Sequence, residues 1–249
     1  VYDNRDTGLS SRIQNDSFNK DNVNKTIIRN YIRYYLRLPI KSEYTIDDMA
    51  DDGVSVLDHL NIENAHILGI SMGGMIAQIM ASSYPEKTKT FTLIASTAST
   101  PSPFNGPSKD VRRLFIERTK NVDATIEDRV NRTKKLFKLI GYEGIDLDTQ
   151  EFFDNVKLSI ERGGVDDTGF GRQLTAILGS KNRIEKVRSI SAPTLIIHGK
   201  EDPLIGVKNA YRSNKLIKGS KLVIIDNMRH LIEPPVFDQF KSDLLAHLK

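Results

Sequence analysis

One serine in this chain lies in a pattern that suits nucleophilic catalysis. Gly69-Ile70-Ser71-Met72-Gly73 matches G-x-S-x-G, between an apolar run that predicts a buried strand over residues 65–70 and a helix that follows at once. Gly69 and Gly73 would let the strand and the helix approach closely, and the helix N-terminus would point free N–H groups at the serine oxygen. The pattern predicts Ser71 as the nucleophile of an acyl transfer; the alternative is a glycine-rich turn with an idle serine.

A serine hydroxyl is a poor nucleophile at neutral pH and needs a base that a third group orients. His230 follows a predicted strand in a loop, which is where functional residues concentrate, and it is our candidate base. Four other histidines are interpreted as structural or surface residues: His59, His66, His198 and His247.

The candidate orienting acid is Asp202, in the turn directly after a predicted strand over residues 194–199. Its carboxylate would emerge at the same edge of the sheet as Ser71. The alternative is an aspartate that only caps the turn before Pro203. Two nearby acids are weaker candidates by position: Glu201 and Glu233.

The elements that must position these residues alternate between strand and helix at both ends of the chain. Further apolar runs predict strands over 91–95 and 221–225, and helices are expected near 27–38, 45–61, 207–217 and 236–248. Between about 97 and 191 the alternation stops, and four helices are expected near 108–120, 125–140, 149–162 and 168–180. The pattern predicts an α/β fold with a mostly parallel sheet, helices on both faces and a helical cap inserted before the acid-bearing strand. We expect core residues 1–100, a cap over 101–190 and core residues 191–249.

Composition excludes several classes of protein. The 249 residues contain no cysteine, which excludes a disulfide framework, cysteine-ligated zinc or iron–sulfur sites and a cysteine nucleophile. No run of about 18 apolar residues is present, so no membrane span is expected, and no signal peptide is visible at the start. A cytoplasmic location is the resulting prediction.

The formal net charge of +4 is spread too evenly to predict nucleic-acid binding. One basic stretch remains, in which Arg29, Arg33, Arg37 and Lys41 recur at a spacing of four residues. On a helix they share one face, which we interpret as a solvated face. The alternative is contact with an anionic surface or partner.

The chain resembles the α/β-hydrolase superfamily, in the branch of serine esterases that includes aclacinomycin methylesterase. The segments that carry the resemblance are residues 2–10, 44–50, 70–78, 194–204 and 228–230. The order Ser71, Asp202, His230 along the chain is that of the family's catalytic triad. The resemblance implies that Ser71 is the nucleophile, Asp202 the acid, His230 the base and the Met72 backbone N–H one oxyanion donor, and that the helical insertion is the family's cap domain. A serine at the elbow argues against the haloalkane dehalogenase and epoxide hydrolase branches.

The start of the chain departs from the family pattern. In the family, the turn Asp3-Asn4-Arg5-Asp6-Thr7-Gly8 follows a fourth strand, whereas here it follows Val1 and Tyr2 directly. About 40 to 60 residues of sheet are therefore expected to be absent, judged from three strands with their connections. They would include the loop with the second oxyanion N–H, so that donor is not assigned.

The residues predict a serine hydrolase that cleaves a carboxylic ester through an acyl-enzyme, with a small-molecule substrate and neither metal nor organic cofactor. Apolar cap side chains favour a small, largely apolar substrate: Leu114, Phe115, Phe137, Leu139, Phe152, Phe153 and Phe170. The alternatives are an amidase, an aminopeptidase or a lactonase on the same triad, or a non-catalytic receptor that uses the capped pocket.

Overall fold

Four parallel strands form one sheet, in the order in which they occur along the chain. They are β1 (Ala65–Ile70), β2 (Thr88–Ile94), β3 (Thr194–Gly199) and β4 (Lys221–Ile225). The register pairs Ile70 with Ile94, and Ile94 with Ile197, so the carboxyl ends of the strands meet at one edge of the sheet. The predicted α/β class with a parallel sheet is confirmed.

The computed structural model describes residues 1–13, 22–99, 106–120, 124–163 and 168–249. The helices are α1 (Val23–Tyr35), α2 (Ile46–His59), α3 (Met72–Ser83), α4 (Lys109–Lys120), α5 (Ile126–Ile140), α6 (Gln150–Gly163), α7 (Thr168–Leu178), α8 (Ile184–Arg188), α9 (Lys208–Leu216) and α10 (Pro234–His247). None of these described helices has the length and apolar character needed to cross a membrane.

The chain divides into two compact units. We call the first the helical unit, Val1–Thr45, Ser108–Leu139 and Glu143–Gly179, and the second the sheet unit, Ile46–Pro107, Ile140–Tyr142 and Ser180–Lys249. The first unit joins the N-terminal residues to the inserted helices, whereas the expected division separates a core over 1–100 and 191–249 from a cap over 101–190. That functional division stays a prediction.

The core of the sheet unit surrounds the two central strands. Every residue of β3 is buried, and on β2 the exposed residue is Lys89. Leu195, Ile196 and Ile197 of β3 form the apolar run expected where helices cover both faces of a parallel sheet. Helix α3 is buried over eight consecutive residues from Gly74 to Ala81, as expected of a helix that is apolar on all sides. Strand β1 is less buried than its apolar sequence predicts: it is an outer strand of the described sheet, with Leu68 and Ile70 exposed. The turn that carries Ser71 joins this strand to the buried helix α3.

Two boundaries differ from the prediction for a local reason. Helix α1 covers 23–35 instead of 27–38, and its end is followed by Arg37 in a left-handed conformation (φ 55°) and by Pro39, neither of which continues a helix. Strand β2 ends at Ile94 because Ala95 has a φ of 46°. The short helix α8 was not predicted.

The polar turn at the start of the chain is held to the helical unit by a buried ion pair. Both carboxylate oxygens of Asp6 accept hydrogen bonds from the Arg172 guanidinium at 2.8 Å, and the two side chains are almost fully buried. The Ile13 backbone N–H donates to the same carboxylate at 2.8 Å. Burial raises the pKa of Asp6, but these donors outweigh it and lower the pKa below its usual range. Asp6 therefore stays charged and anchors the turn to α7.

Candidate active site

Ser71 occupies a strained turn between β1 and α3. Its backbone has φ 54° and ψ −119°, a conformation that costs non-glycine residues about 1–3 kcal/mol and that is common at functional sites. The surrounding structure holds it there: the Ser71 N–H donates to the Ile94 carbonyl at 3.0 Å, and the Ser96 hydroxyl donates to the Ser71 carbonyl at 2.7 Å. The backbone thus has the strain expected of a nucleophile elbow.

Of the two glycines in the G-x-S-x-G pattern, Gly69 has the close approach that the pattern predicts and Gly73 does not. A Cβ on Gly69 would lie 2.2 Å from the Gly73 carbonyl oxygen, so only glycine fits there, as expected. A Cβ on Gly73 would meet no described heavy atom within 4 Å outside its own helix. The close approach assigned to Gly73 belongs instead to Gly74, whose added Cβ would lie 2.6 Å from Cβ of Ser96. The pattern G-x-S-x-G does not show this, because the contact comes from Ser96, in the distant segment just after β2.

Met72 begins α3, directly after the serine. The first N–H groups of a helix have no carbonyl acceptor within the helix, and the N-terminal end of the helix dipole favours negative charge. The Met72 N–H is therefore suited to hold an oxyanion beside Ser71. Its assignment as oxyanion donor stays a prediction.

Asp202 follows β3, and the structure satisfies both interpretations of this residue. Its Oδ1 accepts hydrogen bonds from the backbone N–H groups of Leu204 and Ile205, each at 2.8 Å, so it does cap the turn. Its Oδ2 lies 2.7 Å from Nδ1 of His230, so the other oxygen holds the candidate base. The side chain is completely buried, which fixes the carboxylate in this position.

His230 follows β4 and is buried, with 4% of its surface exposed. Its backbone N–H donates to the carbonyl of Ile140 at 2.8 Å. The ionised Asp202 carboxylate can only accept, so Nδ1 carries the proton of this pair and Nε2 is left as a proton acceptor. The arrangement orients the ring as a general base requires. The contact between Ser71 Oγ and Nε2 stays a prediction; both residues lie in the sheet unit, at the carboxyl edge of the sheet.

A second buried histidine, which we interpreted as structural, contacts the same acid. His198 lies on β3 with its Nε2 2.6 Å from the Ile205 carbonyl oxygen and 3.4 Å from Oδ2 of Asp202. A carbonyl oxygen only accepts, so this Nε2 carries a proton that also faces the carboxylate. The spacing of four residues between His198 and Asp202 is the signal that could have indicated the contact.

The electrostatics of Asp202 result from opposing causes. Burial raises the pKa of the carboxyl, while the hydrogen bonds from His198, His230 and the backbone of Ile205 lower it, and the net shift is downward. The bond from His230 is shorter, at 2.7 Å against 3.4 Å, and we regard it as the stronger of the two. The carboxylate is therefore ionised at neutral pH, as a stabiliser of a protonated histidine must be.

Gly199 brings the acid-bearing turn against the histidine loop. A Cβ at this position would lie 2.1 Å from the carbonyl oxygen of Arg229 and 2.2 Å from that of Met228. The Glu201 N–H also donates to the Met228 carbonyl at 3.2 Å. The two segments therefore approach each other backbone to backbone, and only glycine permits this distance.

The other candidates lie away from this constellation. His59 is exposed on α2. His66 and His247 bond to residues of β2: Nδ1 of His66 lies 2.9 Å from the Thr90 hydroxyl, and Nε2 of His247 lies 3.1 Å from the Phe91 carbonyl oxygen.

The two weaker acids also lie elsewhere. Glu201 is exposed, and Glu233 accepts a hydrogen bond from the Tyr142 N–H at 3.0 Å. Across the part of the chain that the structure describes, no group of three or more histidine and acidic side chains could hold a metal ion.

A serine in a strained strand-to-helix turn, with a buried aspartate–histidine pair at the ends of later parallel strands, is the arrangement of α/β hydrolases. A sequence profile of the α/β-hydrolase fold family matches residues 1–232, and the chain belongs to this family. The resemblance noted from the sequence motifs is thereby confirmed.

Individual relatives agree with this placement. The chain is similar to rhodomycin D methylesterase of Streptomyces peucetius, with 25% identity over 100% of this chain and 80% of the relative. It is also similar to 3-oxoadipate enol-lactonase 1 of Acinetobacter baylyi, with 24% identity over 82% of this chain and 73% of the relative. Among solved structures, the enol-lactonase from Burkholderia xenovorans superposes with a TM-score of 0.70 at 19% identity, covering 99% of this chain and 79% of that one. The last similarity concerns the fold alone.

Proposed function

We propose that this protein is a serine hydrolase that cleaves a carboxylic ester through an acyl-enzyme intermediate. The observation that carries the proposal is the buried pair of Asp202 and His230, with 2.7 Å between Oδ2 and Nδ1, at the sheet edge where Ser71 occupies its strained turn. A buried histidine with one nitrogen held by a carboxylate has the other nitrogen available for proton transfer.

The reaction proceeds in two acyl transfers. His230 Nε2 takes the proton of Ser71 as Oγ attacks the ester carbonyl carbon, and Asp202 stabilises the resulting imidazolium. The Met72 N–H holds the oxyanion of the tetrahedral intermediate. The intermediate collapses, the alcohol leaves with the proton of His230, and Ser71 retains the acyl group. His230 then takes a proton from water as the water attacks the acyl carbon. The second tetrahedral intermediate collapses, His230 returns the proton to Oγ of Ser71, and the acid leaves. No step uses a metal or an organic cofactor.

The names of the relatives favour an ester over an amide as the bond that is cleaved. One relative is a methylesterase and another an enol-lactonase, and both names describe hydrolysis of a carbon–oxygen acyl bond. A lactonase is the second candidate function, since a lactone is a cyclic ester. The same triad would open it, and the leaving alcohol would stay attached to the acid. The products distinguish the two: an acyclic ester gives two molecules, and a lactone gives one hydroxy acid.

The apolar character of the substrate remains part of the proposal. Four of the seven apolar cap side chains pack against each other inside the helical unit: Phe115 with Phe170 and Phe137 with Phe152, with ring centroids 5.8 and 5.5 Å apart. Edge-to-face packing of this kind stabilises the unit itself. Packing explains these four aromatic side chains, so an apolar substrate is supported by the other three of the seven: Leu114, Leu139 and Phe153.

A fluorophosphonate probe tests the proposal without knowledge of the substrate. It should label Ser71, located by mass spectrometry of the digested protein, because only a serine activated by a base reacts at an appreciable rate. His230→Ala should abolish the label, since Ser71 then has no proton acceptor. Ser55→Ala, at an exposed serine of α2, is the matched control and should label normally. A folded protein that does not react would favour a non-catalytic receptor, and a label on another residue would contradict Ser71 as the nucleophile.

Gly199→Ala should lower the rate of ester hydrolysis about 100-fold or more. The new Cβ would collide with the carbonyl oxygens of Arg229 and Met228, so the histidine loop must move away from Asp202. A misplacement of about 1 Å in a catalytic constellation has an effect of this size. Initial rates with a p-nitrophenyl ester measure it. Gly206→Ala is the control, because its Cβ would meet nothing within 4 Å; equal losses in both variants would contradict the role given to Gly199.

A further inference from the structure

Helix α1 has two apolar faces, of which one is buried. Val23 and Ile27 are at most 2% exposed and pack with Tyr31 and Leu174 inside the helical unit. The opposite face carries four large side chains that are 46–64% exposed: Ile28, Ile32, Tyr35 and Leu36. Their spacing of i, i+4, i+7 and i+8 places them in one stripe along the helix, which we call the outer face of α1. Leu38, just beyond the helix, is 46% exposed.

Such a stripe is unusual on the surface of a monomer. Single exposed apolar residues are ordinary, but a contiguous set marks a site of interaction with another surface. The buried face already joins the helix to its unit. On the outer face, the Tyr35 hydroxyl accepts a hydrogen bond from Arg112 of α4 at 2.9 Å, while the side chains of Ile28 and Ile32 are about half exposed.

Positive charge surrounds the outer face. Residues 22–42 contain five basic residues, Lys25, Arg29, Arg33, Arg37 and Lys41, and no aspartate or glutamate. On the helix, Lys25 and Arg29 are exposed and lie beside the apolar stripe, and Arg37 and Lys41 are exposed in the segment that follows. Arg33 donates from Nε to the Pro39 carbonyl at 2.7 Å and so holds that segment against the end of the helix. The basic spacing seen in the sequence is therefore interleaved with exposed apolar side chains, which a purely solvated face would not contain.

We propose that the outer face of α1 docks on an anionic lipid bilayer. Apolar side chains would enter the boundary between headgroups and acyl chains, while the lysines and arginines pair with lipid phosphates, as in helices that lie in the membrane interface. A second copy of the chain fits less well, because five positive charges would face five others. A nucleic acid would satisfy the charges and leave the apolar stripe exposed. The proposal concerns the surface to which α1 binds, and it does not depend on whether Ser71 is catalytic.

Co-sedimentation with lipid vesicles tests the proposal. The protein should bind vesicles of equal parts phosphatidylcholine and phosphatidylglycerol, bind vesicles of phosphatidylcholine alone much more weakly, and dissociate as salt is added. Arg29→Gln/Arg37→Gln removes two positive charges and should weaken vesicle binding about thirtyfold, because each basic residue near an anionic surface strengthens binding about fivefold. Ile28→Ser/Ile32→Ser should weaken it about tenfold or more.

The matched control removes one exposed apolar and one exposed basic residue elsewhere. Leu158 on α6 is 63% exposed and Arg212 on α9 is exposed, so Leu158→Ser/Arg212→Gln should bind vesicles like the parent protein. All replaced side chains are exposed, so thermal unfolding midpoints should change little. If Ile28→Ser/Ile32→Ser unfolds, vesicle binding of Arg29→Gln/Arg37→Gln alone tests the proposal. Equal binding of all variants, or equal binding to both vesicle types, would overturn the proposal. A concentration-dependent dimer that Ile28→Ser/Ile32→Ser abolishes would overturn it in favour of a second copy.

Discussion

Ser71→Ala is expected to lower the rate of p-nitrophenyl ester hydrolysis by about four orders of magnitude or more. The substitution removes the oxygen that forms the acyl-enzyme, and what remains of the site can act only through binding and the oxyanion donor. The variant should nevertheless fold. Alanine keeps the Cβ and therefore the same backbone strain, and the bonds that hold residue 71 to Ile94 and Ser96 involve its backbone only.

The neighbouring serine provides a graded control for this loss. Ser96→Ala removes one hydrogen bond of 2.7 Å to the Ser71 carbonyl, which contributes about 1 kcal/mol, so its rate should fall by about tenfold at most. Equal rates for Ser71→Ala and the parent protein would refute the nucleophile. A larger loss of rate for Ser96→Ala than for Ser71→Ala would also refute Ser71 as the nucleophile, because the turn would then support the activity of another residue.

Asp202→Asn is expected to lower kcat/KM by about 10⁴-fold, the effect of the corresponding change in serine proteases. The amide can donate a hydrogen to Nδ1 of His230, which stabilises the tautomer with the proton on Nε2, the nitrogen that must accept the proton of Ser71. The imidazolium also loses its counter-charge. The asparagine Oδ1 can still accept from Leu204 and Ile205, so the turn should keep its shape. Steady-state kinetics on the same ester measures the loss.

Glu201→Gln is the matched control for the acid. Glu201 is the adjacent residue, and its side chain is exposed, so this variant should hydrolyse the ester at the parental rate. A normal rate for Asp202→Asn together with a strong loss for Glu201→Gln would show that the wrong acid had been assigned. A thermal unfolding curve for each variant separates a catalytic loss from a folding defect.

The types and order of the main elements were predictable because their signals are local. Strands β1, β3 and β4 have the predicted bounds, since each is a short apolar run that ends at turn-forming or polar residues. Strand β2 starts at Thr88, three residues before the predicted start, because Thr88 and Thr90 pair with Ala65 and His66 of β1. That pairing is long-range, and the polar residues involved show no apolar pattern.

The identity of the candidate site residues was predictable from the sequence, whereas the contacts that hold these residues in place were not. Ser71, Asp202 and His230 each follow a predicted strand, and parallel strands bring their carboxyl ends together. The contacts that fix the acid and the base come from elsewhere: His198 faces Asp202 across 3.4 Å, and the carbonyl of Ile140 holds the backbone of His230 at 2.8 Å.

The amino-acid sequence by itself determined the fold class, the elbow that carries Ser71 and the order of the three candidate catalytic residues, because apolar periodicity and turn chemistry act over a few neighbouring residues. The tertiary structure alone decided that Gly74 instead of Gly73 supports the elbow, that Gly199 admits the histidine loop, and that the apolar stripe of α1 faces outward between its cations. Each of these depends on which distant segment packs against a given atom. Close packing sets such distances, and no pattern within one segment contains them.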